Sequence, residues 1–218
     1  GVALALAGVI GIIAKGSLDT LLAVRFTVGD VGPAGDGSEP VQQILPHPLL
    51  PADVRHVIRG IRIDDYTPQG VEEAIGRYWQ CIDALAAEGA GLTSLGGIPI
   101  SSQLGRDRVL ALLAETERRT GVPASSAAEE VVAAFHRLGV HQVAVASRWA
   151  PQLNERVAAY LHHGGLQVAA ITSEGQWARQ AFSMTVERGL TLAVRLGREA
   201  MRLAPDAEGL FLPGGTWR

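Results

Sequence analysis

A seven-residue segment occurs twice: Gly91-Leu92-Thr93-Ser94-Leu95-Gly96-Gly97 returns as Gly209-Leu210-Phe211-Leu212-Pro213-Gly214-Gly215. Each copy follows a helical pattern with a matching beginning, Asp83-Ala84-Leu85 in one and Glu199-Ala200-Met201 in the other. Each is a short apolar run that breaks into two glycines. That reads twice as helix, buried strand, then a tight turn at the strand's carboxyl end. In open parallel sheets, ligands sit outside the carboxyl ends of the strands. Two such ends predict two similar lobes sharing one small-molecule site.

The remaining chain supports an α/β fold. Thr67-Pro68 is a good helix start, a capping hydroxyl followed by proline at the first helical position. Val71, Ile75, Tyr78, Ile82 and Leu85 then recur at helical spacing. Further helices are expected over Arg106–Arg119, with Val109, Leu110, Leu112 and Leu113 as the buried side, and over Ala127–Leu138, Pro151–His163 and Val186–Leu203. Strands are expected at Val54–Ile63, Leu92–Leu95, Val143–Ala146, Val168–Ile171 and Leu210–Leu212. The apolar run Val9–Ala14, followed by Lys15-Gly16, reads as a buried first strand and its turn. It is too short to span a bilayer. Residues Val31–Leu50, dense in Gly, Pro, Asp and Ser, read as an irregular surface segment. Strands alternating with helices of this length mean largely parallel sheets.

Composition removes several function classes. The formal charge is −3, so no basic footprint points to nucleic acid or to an anionic membrane. Cys81 is the only cysteine, which rules out an internal disulfide and fits a reducing, cytoplasmic compartment. At its place in the helical pattern Cys81 reads as a small apolar filler. The histidines have no zinc-ligand spacing; His162 and His163 are adjacent on a helix and do not converge on one ion. No Gly-x-Gly-x-x-Gly follows a strand, no Walker loop is present, and no Gly-x-Ser-x-Gly elbow occurs. No cofactor and no metal are therefore expected.

Three strand-end loops carry what chemistry remains: Gly96–Ser102, Ser147–Ala150 and Pro213–Trp217. Glycine lets backbone N–H groups approach an anion without a side chain in the way. Arg148 can hold a carboxylate with its bidentate fork, or form a surface ion pair. Ser101 and Ser102 can offer hydroxyls to a cleft or cap the helix that follows.

Thr67-Pro68-Gln69-Gly70, Ser94-Leu95-Gly96-Gly97, Thr120-Gly121-Val122-Pro123, Leu138-Gly139-Val140, Leu153-Asn154-Glu155-Arg156 and Leu210–Gly215 stand in an order and at spacings that resemble the arylmalonate decarboxylases. These belong to the aspartate/glutamate racemase superfamily with the maleate isomerases and hydantoin racemases. The resemblance implies two flavodoxin-like lobes with parallel sheets related by pseudo-two-fold symmetry. The first lobe is expected over 1–122 with the C-terminal end of the chain, and the second over 123–212. It further implies cofactor-independent chemistry on a small carboxylic acid, through an enolate-like intermediate, in the cleft between lobes.

Departures from the family pattern are as informative. Racemases and isomerases of the group place a cysteine in each lobe, and the decarboxylases keep the second as proton donor. Here the first position is Gly97 and the second is read as Thr216. Where the decarboxylases follow the first glycine with hydroxyl residues, this chain has Ile98 and Pro99, and Pro99 lacks a backbone donor. Trp149 stands where relatives have a tyrosine. The site expected from these readings uses Thr216, Arg148 and Ser101 for chemistry, with Gly97, Ile98, Pro99, Trp149 and Gly215 around the substrate. Thr216 is suited to hydrogen-bond a developing enolate, and a hydroxyl is a far poorer acid than a thiol. A catalytically inactive member that binds a small carboxylate is the alternative. A homo-oligomer is left open.

Overall fold

The computed structural model describes residues 4–6, 9–11, 26–33, 40–41, 54–177 and 183–214. Two parallel sheets organise it. The first contains β3 (Phe26–Gly32), β4 (Pro40–Val41), β5 (Val54–Gly60), β6 (Leu92–Leu95) and β7 (Ala124–Ser126), in the order β4-β5-β3-β6-β7. Only β4 runs antiparallel to its neighbour. The second contains β8 (Gln142–Trp149), β9 (Gln167–Gln176) and β10 (Gly209–Phe211), ordered β10-β8-β9 and parallel throughout. In each sheet the first long strand lies in the middle, the next flanks it on one side, and the third flanks it on the other. That arrangement begins the flavodoxin-like order. The repeated segment supplies the third strand of each lobe, β6 and β10, so the sequence repeat and the topological repeat coincide.

The expected first strand is corrected. Leu4–Leu6 (β1) and Val9–Gly11 (β2) pair antiparallel as a separate two-stranded sheet, and the central strand of the first lobe is β3. Its run Phe26–Gly32 alternates apolar residues with Gly29, Asp30 and Gly32, so no continuous apolar stretch marks it. Gly29 is required by packing, because a Cβ there would lie 3.0 Å from both δ-methyls of Leu85. β7 pairs with β6, which carries the first sheet through Ser126.

Helices cover the sheets. α1 (Pro68–Ile75) starts where Thr67 Oγ accepts from Gly70 N–H at 3.1 Å. The single stripe expected after it is two helices, broken at Gly76-Arg77, and α2 (Tyr78–Ala87) continues the same buried face. Val71, Ile75, Tyr78, Ile82 and Leu85 all lie in one core with Val31, Val57 and Leu95 of the sheet. Cys81 is buried there too, its thiol donating to Gly60 O at 3.5 Å.

α3 (Ile98–Leu104) and α4 (Arg106–Thr120) follow β6. Val109 and Leu113 are buried, whereas Leu110, expected inside, is 40% exposed. Leu110 follows Val109 by one residue and so points off the face shared by Val109 and Leu113, which are four residues apart. α5 (Ala127–Arg137) begins at Ser126, whose Oγ accepts from Glu129 N–H. α6 (Pro151–His163) and α7 (Val186–Leu203) complete the second lobe with the bounds expected from the sequence.

β8 is buried on both faces, as a central parallel strand is. Val143 and Val145 face a cluster with α5, α6 and Phe211. Ala144 and Ala146 face α7 through Leu192, Leu196 and Ala200. Between α4, α5 and α6 a polar knot closes the seam. Arg106 donates to both oxygens of Glu129 at 2.8 and 3.0 Å, Tyr160 Oη donates to the same carboxylate at 2.8 Å, and Arg106 also reaches His163 O. Burial alone would raise the Glu129 pKa; the bonds from Arg106 and Tyr160 hold it below its ordinary value.

Candidate functional site

The first glycine corner is built by β6 running into α3. Gly97 adopts φ 92°, ψ 101°, a backbone conformation that side-chained residues avoid, and the helix starts directly after it. Gly96–Ser102 is therefore a helix entry rather than an irregular loop. Ile98 and Pro99 form its first turn, where the missing proline N–H leaves no broken helical bond. Both are buried, and the Ile98 side chain packs into the core shared with α5, α6 and Phe211. Ser101 lies one turn beyond Gly97 on the same helix face. It is completely buried, and its Oγ has no hydrogen-bond partner among the described residues.

The second group sits at the end of β8. Ser147, Arg148 and Trp149 were expected in a loop, yet they extend the strand and all are buried. Their polarity hides the strand from an apolar-run reading. β9 accommodates them with an irregularity: Ser147 is opposite Ser173, but Trp149 is opposite Gln176. Gly175 turns there at φ 74°. A bulge of this kind re-aims a side chain. The turn is held by hydrogen bonds. Ser173 Oγ donates to Trp149 O at 2.5 Å and accepts from Gly175 N–H at 3.0 Å, while Ala150 N–H donates to Gln176 O. Asn154 Nδ2 also donates to Trp149 O, at 2.9 Å, from the first turn of α6.

Trp149 reaches across to the first lobe. Its ring meets Tyr66 edge-on, with centroids 5.3 Å apart, and it shares an apolar cluster with Leu95, Ile100 and Leu153. Ile100 in turn lies against Gly97, with Ile100 Cδ1 3.1 Å from where a Gly97 Cβ would stand. The Arg148 guanidinium lies over the same indole, 4.8 Å from its centroid. Burial lowers the Arg148 pKa, and the neighbouring Tyr66 works in the opposite direction.

Gly214, at φ 102°, closes the group. A Cβ there would be 3.3 Å from Arg148 Nη2 and 3.4 Å from Trp149 Cζ2. The structure therefore brings Arg148, Trp149 and the Gly214 corner together, and the cluster around Ile100 links them to Gly97. Gly215 and Thr216, expected in the same site, lie outside the described residues.

One group at the first corner was missed from the sequence. Asp30, on β3, points its carboxyl against Gly96, where a Cβ would fall 2.9 Å from Oδ1 and 3.1 Å from Oδ2. Burial pushes its pKa up from 3.8 to about 7, against the lowering effect of bonds from Ser94 and from the Gly96 backbone. The available signal was an acid in the middle of Val28-Gly29-Asp30-Val31-Gly32. A carboxylate between apolar strand residues is costly unless it has work or partners.

Comparisons with known proteins agree with this architecture. The family model described as arylmalonate decarboxylase matches residues 28–218. The arylmalonate decarboxylase of Bordetella bronchiseptica is 28% identical over 190 residues, 87% of this chain and 76% of that protein. Among solved structures, a liganded arylmalonate decarboxylase variant, with a glycine-to-cysteine and a cysteine-to-serine replacement, is similar at TM-score 0.74 and 27% identity. The match covers 88% of this chain and 78% of that one. A Nocardia farcinica maleate cis-trans isomerase variant holding a covalently bound succinylcysteine intermediate shares the fold at TM-score 0.70 and 16% identity, over 88% and 80% of the two chains. With its family model spanning all but the first residues, and the two-lobed fold matching the same relatives, the chain belongs to the arylmalonate decarboxylase family.

Proposed function

We propose that this chain is a cofactor-independent lyase that decarboxylates a small malonate-like acid through an enolate. The observation carrying the reading is the buried Arg148 guanidinium, stacked on Trp149 and lying against the Gly214 corner at the carboxyl ends of the strands. A buried cation is a strong site for a carboxylate, which it meets through two parallel N–H donors.

In the proposed reaction Arg148 holds one carboxylate of the substrate. The second carboxylate, turned toward the apolar wall of Trp149 and Ile100, leaves as neutral CO2. Loss of charge there is favoured by the same low polarity that would resist a charge arriving. The electron pair released from the C–C bond is delocalised onto the retained carboxylate as an enediolate. Its growing charge strengthens the interaction with Arg148, so this contact stabilises the transition state more than the ground state. Ser101 Oγ and Trp149 Nε1, both buried without partners among the described residues, are donors suited to the same oxygens. Thr216 is assigned a further hydrogen bond to the enolate on sequence grounds. Isomerisation of a related acid would use the same intermediate.

The experiment is turnover of disubstituted malonates, with maleate isomerisation and α-deuterium exchange as companion assays. Arg148→Met should abolish turnover and weaken carboxylate binding by more than about tenfold, the loss of a charge-assisted pair. Wild type that remains at background in all three assays while folded ends the reading.

A second reading has its own observation. The sole cysteine, Cys81, sits in the α2 core with its thiol pushed up by burial, bonded to Gly60 O. A chain without a thiol at its corners is suited to bind a small carboxylate without transforming it. Ligand-induced thermal stabilisation without turnover would select this alternative.

A further inference from the structure

Protonation of the enolate needs an acid, and Cys81 is committed to the core. We infer that Asp30 is the catalytic acid of this site, delivering a proton to the α-carbon from beneath the Gly96–Gly97 corner. The inference rests on the decarboxylase reading above and names the step which that reading leaves without a donor.

Three features of geometry support it. First, Asp30 lies on the central strand β3, in register with Ser94 of β6, so its side chain and that of Ser94 share one face of the sheet. From there the carboxyl leans toward the strand's carboxyl end and fits under Gly96, at distances that only a glycine at 96 permits. Second, Oδ1 is buried and has no hydrogen-bond partner among the described residues, whereas Ser94 and the Gly96 N–H engage the group. An oriented carboxyl thus keeps one oxygen unoccupied. Third, residues 96 and 97 carry no side chains, so the corner covers that oxygen with backbone alone.

The electrostatic surroundings suit an acid that must be protonated near neutrality. On the same face, β5 places Ile58 opposite Asp30 and His56 two residues earlier. β7 places Ser125 beyond Ser94, with its hydroxyl donating to Glu130 of α5. None of these charges contributes to the Asp30 shift. Burial dominates it, and a pKa near 7 leaves about half of the group protonated at neutral pH.

The step balances. The C–CO2 bond breaks and CO2 departs, leaving its electron pair on the α-carbon as the enediolate. That pair then forms the new C–H bond with the proton of the Asp30 carboxyl. Asp30 is left as a carboxylate and recovers its proton from solvent water, so the product's α-hydrogen is solvent-derived.

Asp30→Asn tests this directly, because the amide keeps the shape and loses the acid. Turnover of a disubstituted malonate should fall by about 10²- to 10⁴-fold, with the affinity for a non-reacting monocarboxylate changed by less than about twofold. Wild-type kcat should decline as pH rises through about 7, and the residual rate of the variant should lack that decline. Product formed by wild type in D2O should carry deuterium at the α-carbon. A variant that turns over at the wild-type rate overturns the inference and leaves the decarboxylase reading intact. If Asp30→Asn does not fold, the wild-type profile decides, and a rate that stays flat across neutrality overturns it. Wild type that neither decarboxylates nor exchanges brings down the parent reading, a result visible without any substitution.

Discussion

The two glycine corners share one repeated sequence pattern, yet they face side chains of opposite character. In the first lobe the central strand β3 brings an acid, Asp30, against Gly96; in the second the central strand β8 brings a cation, Arg148, against Gly214. The acid shares its sheet face with Ser94, and burial raises its pKa to about 7. The cation lies over an indole, and burial lowers its pKa from a very high starting value. A repeat that is symmetric in backbone is thus polar in chemistry, with a proton source at one end and an anion anchor at the other. The comparison teaches that what the two halves share is the corner, while the functional division is written on the central strands.

The contrast can be broken most forcefully at Trp149, which touches Arg148, Gly214 and the first lobe through Tyr66. Trp149→Ala is expected to cost about 3–5 kcal/mol in chemical denaturation, the usual penalty for emptying a buried aromatic site. A cost below about 1 kcal/mol would show that the indole does not join the lobes.

The acid half can be read from pH alone. Asp30 binds its proton more tightly in the folded chain, so its contribution to stability is full below 3.8 and is lost as pH rises to about 7. The loss is on the order of a few kcal/mol, at about 1.4 kcal/mol for each pH unit of that window. Denaturation midpoints of wild type should fall over this range relative to Asp30→Asn, and parallel curves for the two proteins would refute the assignment. Arg148 should add no slope in the same window.

Gly97→Ala sharpens the corner itself. At φ 92° an alanine is strained and is expected to cost about 1–3 kcal/mol in stability, with activity falling further as the α3 entry shifts. The smallest effect is expected at the thiol. Cys81→Ala should lower stability by about 1 kcal/mol, through a small core void, and leave turnover within about twofold of wild type. Activity lost with the protein still folded would return the thiol to the chemistry.

The legible part of the fold was the part in which local pattern and packing agree. α6 and α7 have the expected bounds because proline or a capping threonine opens each and an apolar stripe runs through it. The repeat was legible because β6 and β10 occupy equivalent places in the two sheets. β3 was not, since close approach of Leu85 and Ala90 demands Gly29, and Asp30 interrupts the apolar run. For the same reason Ser147-Arg148-Trp149 read as a loop. Polar residues inside a buried strand look like the end of that strand unless the cluster that receives them is known. Arg148, Trp149 and Ser101 could be named from the sequence, but their complete burial could not, because it depends on α3 and α6 meeting across the seam. Asp30 escaped notice because the residue it packs against is Gly96, which leaves no side-chain signature.

The irregular pairing of β9 opposite Arg148 has one more consequence. The one extra residue, in the Glu174-Gly175 stretch, belongs to a strand that supplies none of the groups assigned to the chemistry. The direction of the guanidinium is consequently adjusted from outside the pocket, by the length and turn of its neighbour. Selectivity among related acids is open to change through insertion or deletion at that position, with every pocket residue retained.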